Sequence, residues 1–320
     1  MNSQINIRTT IIDPSQLDLD NIDFHVPSFE PLDPLVASIE QVGVIHPPVV
    51  KETAGHRFIP VLGRRRLEAV CALKARSFAV RVVDPMQMKG QTFIMAFWDN
   101  LERIKRDPAV RAYVVKRLLE LVPRETLAKK VFPFLDISSK GPKLEKLRKI
   151  GGLETSLLDA LSRGRLQEKS AAILSELPCD QRLPLVKLIG KLGLNANKAF
   201  EVISQLFNLS IYLGQPMTDL LSRPEVDEIL NDYHLTVAEK AAQFRKLITR
   251  WAFPDITENW RIFERWVQDV RPPRNVSLRP GQSFEDESVT IEIRLDSRSR
   301  AEDFLNVIRE FQLPNSYQHG

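Results

Sequence analysis

The run Gly63-Arg64-Arg65-Arg66 is the stretch of this chain with the most chemistry in it. It stands between an apolar segment, Arg57 to Leu62, and a helical pattern in Leu67, Val70, Cys71 and Leu73. The spacing predicts a strand, a tight turn and then the first turn of a helix. Backbone N–H groups at a helix start lack partners, and the peptide dipoles place positive charge there. Three arginines at such a spot repel that charge unless an anion joins them. A phosphate would satisfy both, because Gly63 lets the backbone approach it and each guanidinium offers paired donors. The competing reading is a solvated basic turn.

A second constellation is Trp98-Asp99-Asn100-Leu101-Glu102-Arg103. Asp99 and Asn100 supply oxygens that could hold a Mg²⁺ ion also touching phosphates. Asp99 is the candidate catalytic carboxylate, and Arg103 is a cation beside it. The same three residue types also occur on ordinary solvated helices. A third feature is a candidate helix-turn-helix, with Arg124–Phe132 as first helix and Lys143–Ile150 as second. Lys129, Lys130, Ser138, Ser139, Lys140 and Lys143 would meet DNA, since the start of a recognition helix contacts bases and phosphates. The connection from Pro133 to Pro142 is longer than a tight turn, which leaves an ordinary pair of basic helices open.

Other chemistries find little support. His25, His46, His56, His234 and His319 have no metal-ligand spacing, and no phosphate-binding Walker loop or nucleophile elbow occurs. Trp251, Trp260, Phe263 and Trp266 are read as core, with base stacking as the alternative. Two cysteines, Cys71 and Cys179, exclude a disulfide scaffold and point to a reducing, cytoplasmic setting. No apolar run of membrane-spanning length and no leader-like N-terminus is present, so no membrane partner is expected.

These residues need a frame to position them. The 320 residues suggest two or three domains. The net charge of +4 is uneven. Residues 1–50 carry one basic residue against seven acids, 51–81 carry eight against two, and 103–149 carry fourteen against five. A basic middle behind an acidic start suits a surface that meets a polyanion. A strand at Ile5–Ile12, a helix through Leu35, Ile39 and Val42 capped by Gly43, strands at Val49-Val50, Arg57–Leu62 and Phe78–Val83, and the helix after Gly63 make a small mixed α/β domain over residues 1–90. Pro60 marks an edge strand or a bulge. From Gln91 to about residue 270 the pattern is helical, read as a DNA-binding domain over 91–210 and an extension over 211–270. A Pro/Arg/Ser-rich linker is expected at 271–288. A strand from Val289 and a helix over 300–311 would form a C-terminal unit, 289–320, suited to dimerisation. The fold class is therefore α+β.

In this order and spacing the motifs resemble a known family. Val42-Gly43-Val44-Ile45-His46-Pro47-Pro48-Val49-Val50 is similar to the G-L-I-Q-P-I-V-V segment of ParB-type partition proteins. Gly63-Arg64-Arg65-Arg66-Leu67-Glu68-Ala69 resembles their G-E-R-R-x-x-A motif, and Asp99-Asn100-Leu101-Glu102-Arg103 their E-N-L-Q-R motif. The likeness is close over residues 5–110 and looser to about 210. It implies a ParB/sulfiredoxin-like domain followed by a helix-turn-helix domain, with CTP and Mg²⁺ bound by the first. By position, Gly63, Arg64, Arg65 and Arg66 would contact the triphosphate. Asp99 and Asn100 would lie near the metal, Arg103 near phosphate, and Gly43 and His46 on the base side. The family's Arg-rich Q-P-R-R motif is Phe24-His25-Val26-Pro27 here. Arg64 stands where sulfiredoxin has its catalytic Cys, so cysteine redox chemistry is not expected. Weak CTP hydrolysis stays open.

The resemblance implies a nucleotide-regulated, nucleoid-associated partition factor that binds double-stranded DNA as a homodimer and works with a partition ATPase. The alternatives are a nucleotide-free DNA-binding regulator, and a phosphotransferase or nuclease on the same fold.

Overall fold

The computed structural model describes residues 7–83, 88–272, 275–280 and 288–294. Strands β1 (Ile7–Ile12), β2 (Val49–Glu52), β3 (Phe58–Leu62) and β4 (Phe78–Val83) form one sheet in the order β1-β4-β2-β3. β4 runs antiparallel to β1 and parallel to β2, while β2 and β3 form an antiparallel pair. Pro60 lies on the edge strand opposite Val50, beside a register shift at Val49/Val50. Lacking an N–H, proline is tolerated at such a place.

Helix α1 (Asp33–Val42) ends at Gly43, whose φ of 73° is left-handed and whose N–H bonds Ile39 O. The apolar face of this helix does not enter the core. Leu35 and Ile39 are half-buried and Val42 is 61% exposed. Helix α2 (Arg64–Ala72) begins at Gly63, where φ is 74°. A Cβ at Gly63 would lie 3.2 Å from Pro48 Cβ, so turn geometry and close packing both select glycine. Leu67 and Val70 are buried against the sheet, where Ile12, Leu17, Val50, Phe58, Val80 and Val82 make one apolar cluster with Leu67.

The helices that follow are α3 (Lys89–Asp99), α4 (Leu101–Arg106), α5 (Pro108–Leu121), α6 (Arg124–Lys130), α7 (Pro142–Ile150), α8 (Thr155–Ser162) and α9 (Glu168–Glu176). A 3-10 turn, Phe132–Leu135, lies between α6 and α7. Helix α5 is the hub and packs on α3, α4, α7 and α8. Asp107 caps it by accepting from the N–H groups of Ala109 and Val110. The end of α7 approaches α5 so closely that a Cβ on Gly151 would collide with the backbone carbonyl of Ala112.

The chain divides into two compact units, 1–182 with 195–200, and 183–194 with 201–320. The second contains most of α10 (Cys179–Lys191) and α11 (Ala196–Leu213), then α12 (Met217–Leu221), α13 (Pro224–Asn231), α14 (Val237–Ala252) and α15 (Pro254–Val270). Two sequence expectations need correction. The boundary at 210/211 falls inside α11, which continues to Leu213 before Gly214 takes a φ of 63°. The segment read as a linker, 271–288, contains strand β5 (Val276–Pro280), paired antiparallel with β6 (Val289–Ile293). Proline at its end hid that strand from composition. The expected helix over 300–311 lies outside the described residues. Trp260 is 44% exposed and only Phe263 of that aromatic set is buried, so the core reading holds for Phe263 alone. Both thiols are free, and among the described residues no helix is long and apolar enough to cross a membrane.

Candidate phosphate cleft and nucleic-acid interface

The turn at Gly63 puts three consecutive arginines at the mouth of a cleft of about 630 Å³. Gly63, Arg64, Arg65, Arg66, Asp99, Asn100 and Arg103 all line it. Two motifs more than thirty residues apart thus meet on one wall, because α3 packs against β3 and carries its C-terminal end towards the start of α2. Gly43 and His46 do not line the cleft. Gly43 serves as the cap of α1, and the backbone carbonyl of His46 accepts from Arg66 Nη1 at 3.4 Å.

The four arginines are held differently. Arg64 donates to the carbonyls of Leu19 and Asn21 and to Glu68 Oε1, the last at 2.8 Å. It ties α2 to the segment after β1 and has little left for a ligand. Arg65 Nη1 bonds Glu30 Oε2 at 2.6 Å, and its Nη2 reaches Pro31 O. Arg103 Nη2 donates to Asn100 Oδ1 at 2.8 Å and to Val26 O at 3.3 Å. Burial pushes the Arg103 guanidinium below its ordinary value, and Arg65 adds to this, while Glu30, Asp107 and Asp99 oppose it. Arg66 has the weakest tether and is the arginine most available to an anion.

Sequence reasoning missed a further part of the cleft lining. Phe24, His25, Val26 and Ser28 belong to an irregular segment with no periodicity to flag it. The signal available was the replacement of the family's Arg-rich motif at these residues. His25 is held neutral, its pKa lowered to about 4, first by burial and then by the charges of Arg64 and Arg103. Its ring stands edge-on to Tyr113 at 6.3 Å. The buried atoms His25 Nδ1, Ser28 Oγ and Arg103 Nε have no hydrogen-bond partner. Orphaned polar atoms around one cleft are what a site built for a polar ligand leaves when a ligand is not there to bond them.

The fit to a divalent cation is partial. Asn100 Oδ1 is turned to Arg103 and its amide nitrogen donates to Ala96 O at 2.9 Å, so Asn100 braces the site instead of offering an oxygen. Asp99 is exposed at the cleft and free to ligate. Among the described residues no three metal-ligating side chains cluster. One carboxylate suits a Mg²⁺ ion carried mainly by ligand phosphates and water.

The expected DNA surface sits around α6 and α7. Lys129, Lys130, Ser138, Lys140 and Lys143 are exposed, and Ser139 is half-buried. Lys143 Nζ bonds Asp136 O at 2.7 Å and fastens the turn before α7. The rest of the basic excess is partly neutralised. Lys146 and Arg111 pair with Glu168, and Lys149 with Glu176. Leu144, Leu147 and Ile150 bury one side of α7 and leave the other in solvent. Trp98 and Phe134 meet edge-to-face, 4.6 Å between ring centroids, linking the residue before Asp99 to the 3-10 turn of this region.

Residues 4–101 match the family model of the ParB N-terminal domain. A probable chromosome-partitioning protein ParB from Campylobacter jejuni is 23% identical over 218 residues, covering 67% of this chain and 74% of its own. C-terminally truncated ParB from Caulobacter crescentus, solved with CTP-gamma-S, is 19% identical, covers 57% of this chain and 98% of that one, and has a TM-score of 0.27. The same protein solved with the centromeric parS site is 15% identical, covers 61% and 99%, and has a TM-score of 0.31. Residues 4–101 therefore match the ParB N-terminal domain, and the chain is similar to ParB-type partition proteins over two thirds of its length.

Proposed function

We propose that this protein is a DNA-binding chromosome-partitioning factor whose N-terminal domain binds CTP with Mg²⁺ and whose α6–α7 region grips double-stranded DNA. The observation that supports it best is the meeting of Gly63–Arg66 with Asp99 and Arg103 around a cleft with unpartnered buried donors. In this reading, the first-turn N–H groups of α2 and the Arg65 and Arg66 guanidiniums hold the phosphates. Asp99 faces the cation, which neutralises phosphate charge when bound. Neutral His25 and Phe24 offer an apolar and hydrogen-bonding wall to the remainder of the nucleotide. Lys129, Lys130, Lys140 and Lys143 contact the DNA backbone. A homodimeric state, a partition ATPase partner and a place at the nucleoid belong to the same reading and rest on the family resemblance.

Calorimetric titration of CTP, ATP and GTP with Mg²⁺ into the full chain and its Arg65→Ala variant tests this. Selective CTP binding that Arg65→Ala weakens by roughly ten- to thirtyfold is expected. Absence of heat with every nucleotide would reject the nucleotide assignment and leave a nucleotide-free DNA-binding regulator.

A further inference from the structure

Beside the arginine cleft lies a second one of about 470 Å³. Arg106, Asp107, Ser162 and Arg163 contribute to it, and Ser28 and Arg103 line both clefts. The short segment 26–31 runs here without helix or strand and is tied to arginines from three places. Arg163 Nη2 donates to Phe29 O at 2.8 Å, and Arg103 Nη2 reaches back to Val26 O. Arg65 takes both the carboxylate of Glu30 and the carbonyl of Pro31. One guanidinium lining the arginine cleft is thus occupied by a carboxylate of the chain itself.

We propose that Glu30 is a built-in counter-ion standing in the phosphate position on Arg65, and that a polyphosphate ligand enters by exchanging with it. The exchange would also join the two clefts into one cationic groove from Arg65 past Arg103 to Arg106 and Arg163. The inference rests on the nucleotide reading above for the identity of the natural ligand, and on the geometry alone for the exchange.

Three observations carry it. The Glu30 side chain is 69% exposed and that of Arg65 only 27%, so the pair is a lightly held surface contact over a fixed guanidinium. Such pairs are weak, and a phosphate group brings more charge and a matching two-point geometry. The Arg64–Glu68 pair is different, because Arg64 is also bonded to two backbone carbonyls and cannot leave without loosening the segment before α1. Finally, Ser28 Oγ and Arg103 Nε, the unpartnered donors, sit in the wall that both clefts share. Glu30 is also the strongest of the charges that favour the cationic form of buried Arg103, as expected of a counter-ion to the whole cleft.

The test uses calorimetry on the full chain as wild type, Glu30→Gln, Glu30→Asp and Glu40→Gln, titrated separately with inorganic tripolyphosphate and with CTP and Mg²⁺. Glu40 is exposed on α1 and removes the same charge away from the cleft. Glu30→Gln should bind tripolyphosphate roughly five- to tenfold tighter, with Glu30→Asp between it and wild type, because both the competing pair and a like charge are weakened. Glu40→Gln should match wild type. Unchanged or weaker binding by Glu30→Gln overturns the inference, as does equal tightening in Glu40→Gln, which would make the effect one of net charge. Tighter tripolyphosphate binding with no CTP binding in any variant would uphold the counter-ion and reject the nucleotide reading. CTP binding of equal strength in all four proteins would do the reverse.

Discussion

The two basic regions of this protein use their charge in opposite ways. Around Gly63 the arginines are half-buried, each bonded to a carbonyl or a carboxylate, and they crowd a neutral His25. Around α6 and α7, Lys129, Lys130 and Lys140 stand in solvent, on a helical scaffold braced by pairs such as Lys149–Glu176. Partial desolvation strengthens every interaction in the cleft and makes each one specific, whereas exposed lysines act through counterion release and read no sequence. Two excesses of positive charge therefore describe a built pocket in one place and a polyelectrolyte surface in the other.

That contrast can be broken from the cleft side by pH. His25 has a folded pKa of about 4 against an unfolded value of 6.5, so between these values the unfolded chain binds more protons. Stability rises with pH across this window and is lost as pH falls from about 6.5 to 4, by up to about 3 kcal/mol. Chemical denaturation at pH 7.5 and 4.5 should show that loss shrinking in His25→Gln. An identical pH dependence in the variant would mean that His25 is as solvated as the lysines of α6.

The helical face should respond to salt instead. Replacing Lys129, Lys130 and Lys140 together by alanine should weaken DNA binding by roughly a hundredfold near 0.1 M salt and lower the salt slope by about 2 to 3. Nucleotide binding should be untouched. A slope that does not move would remove this surface from the DNA contact.

Arg65→Ala sharpens the comparison from the other direction. Loss of its charge-assisted bonds should weaken CTP binding by roughly ten- to thirtyfold. The salt slope of DNA binding should stay at the wild-type value. If instead it falls by about one, the arginine touches DNA backbone and the two regions form one surface.

The smallest effect concerns the contact between them. Phe134→Ala removes the edge-to-face partner of Trp98 and should cost about 1 kcal/mol of stability, with a change in tryptophan emission because Trp98 is already 42% exposed. Emission identical to wild type would show that the ring pair does not form in solution.

Much of the α/β domain was readable from residues alone. Short apolar runs located β2, β3 and β4, Pro60 announced the edge or a bulge, and Gly43 the helix cap, because each acts through its own backbone. The first-turn arginines were readable for the same reason. The apolar stripe of α1 located the helix but not its burial, since periodicity says which residues share a face and not whether anything covers it. Strand β5 was hidden because a short Pro- and Arg-containing segment becomes a strand only when β6 pairs with it. The same limit hid Glu30, His25 and Ser28, which lie in a segment without a repeating pattern.

Local chemistry in the sequence thus determined the elements, the two charged regions and the candidate residues Gly63 to Arg66, Asp99 and Arg103. Only tertiary structure decided how they are used. Packing brought the end of α3 to the start of α2, left Gly43 and His46 outside the cleft, turned Asn100 towards Arg103, and paired Arg65 with Glu30. Those outcomes depend on distances between segments far apart in the chain, and burial and pairing energies exist only once those distances are set.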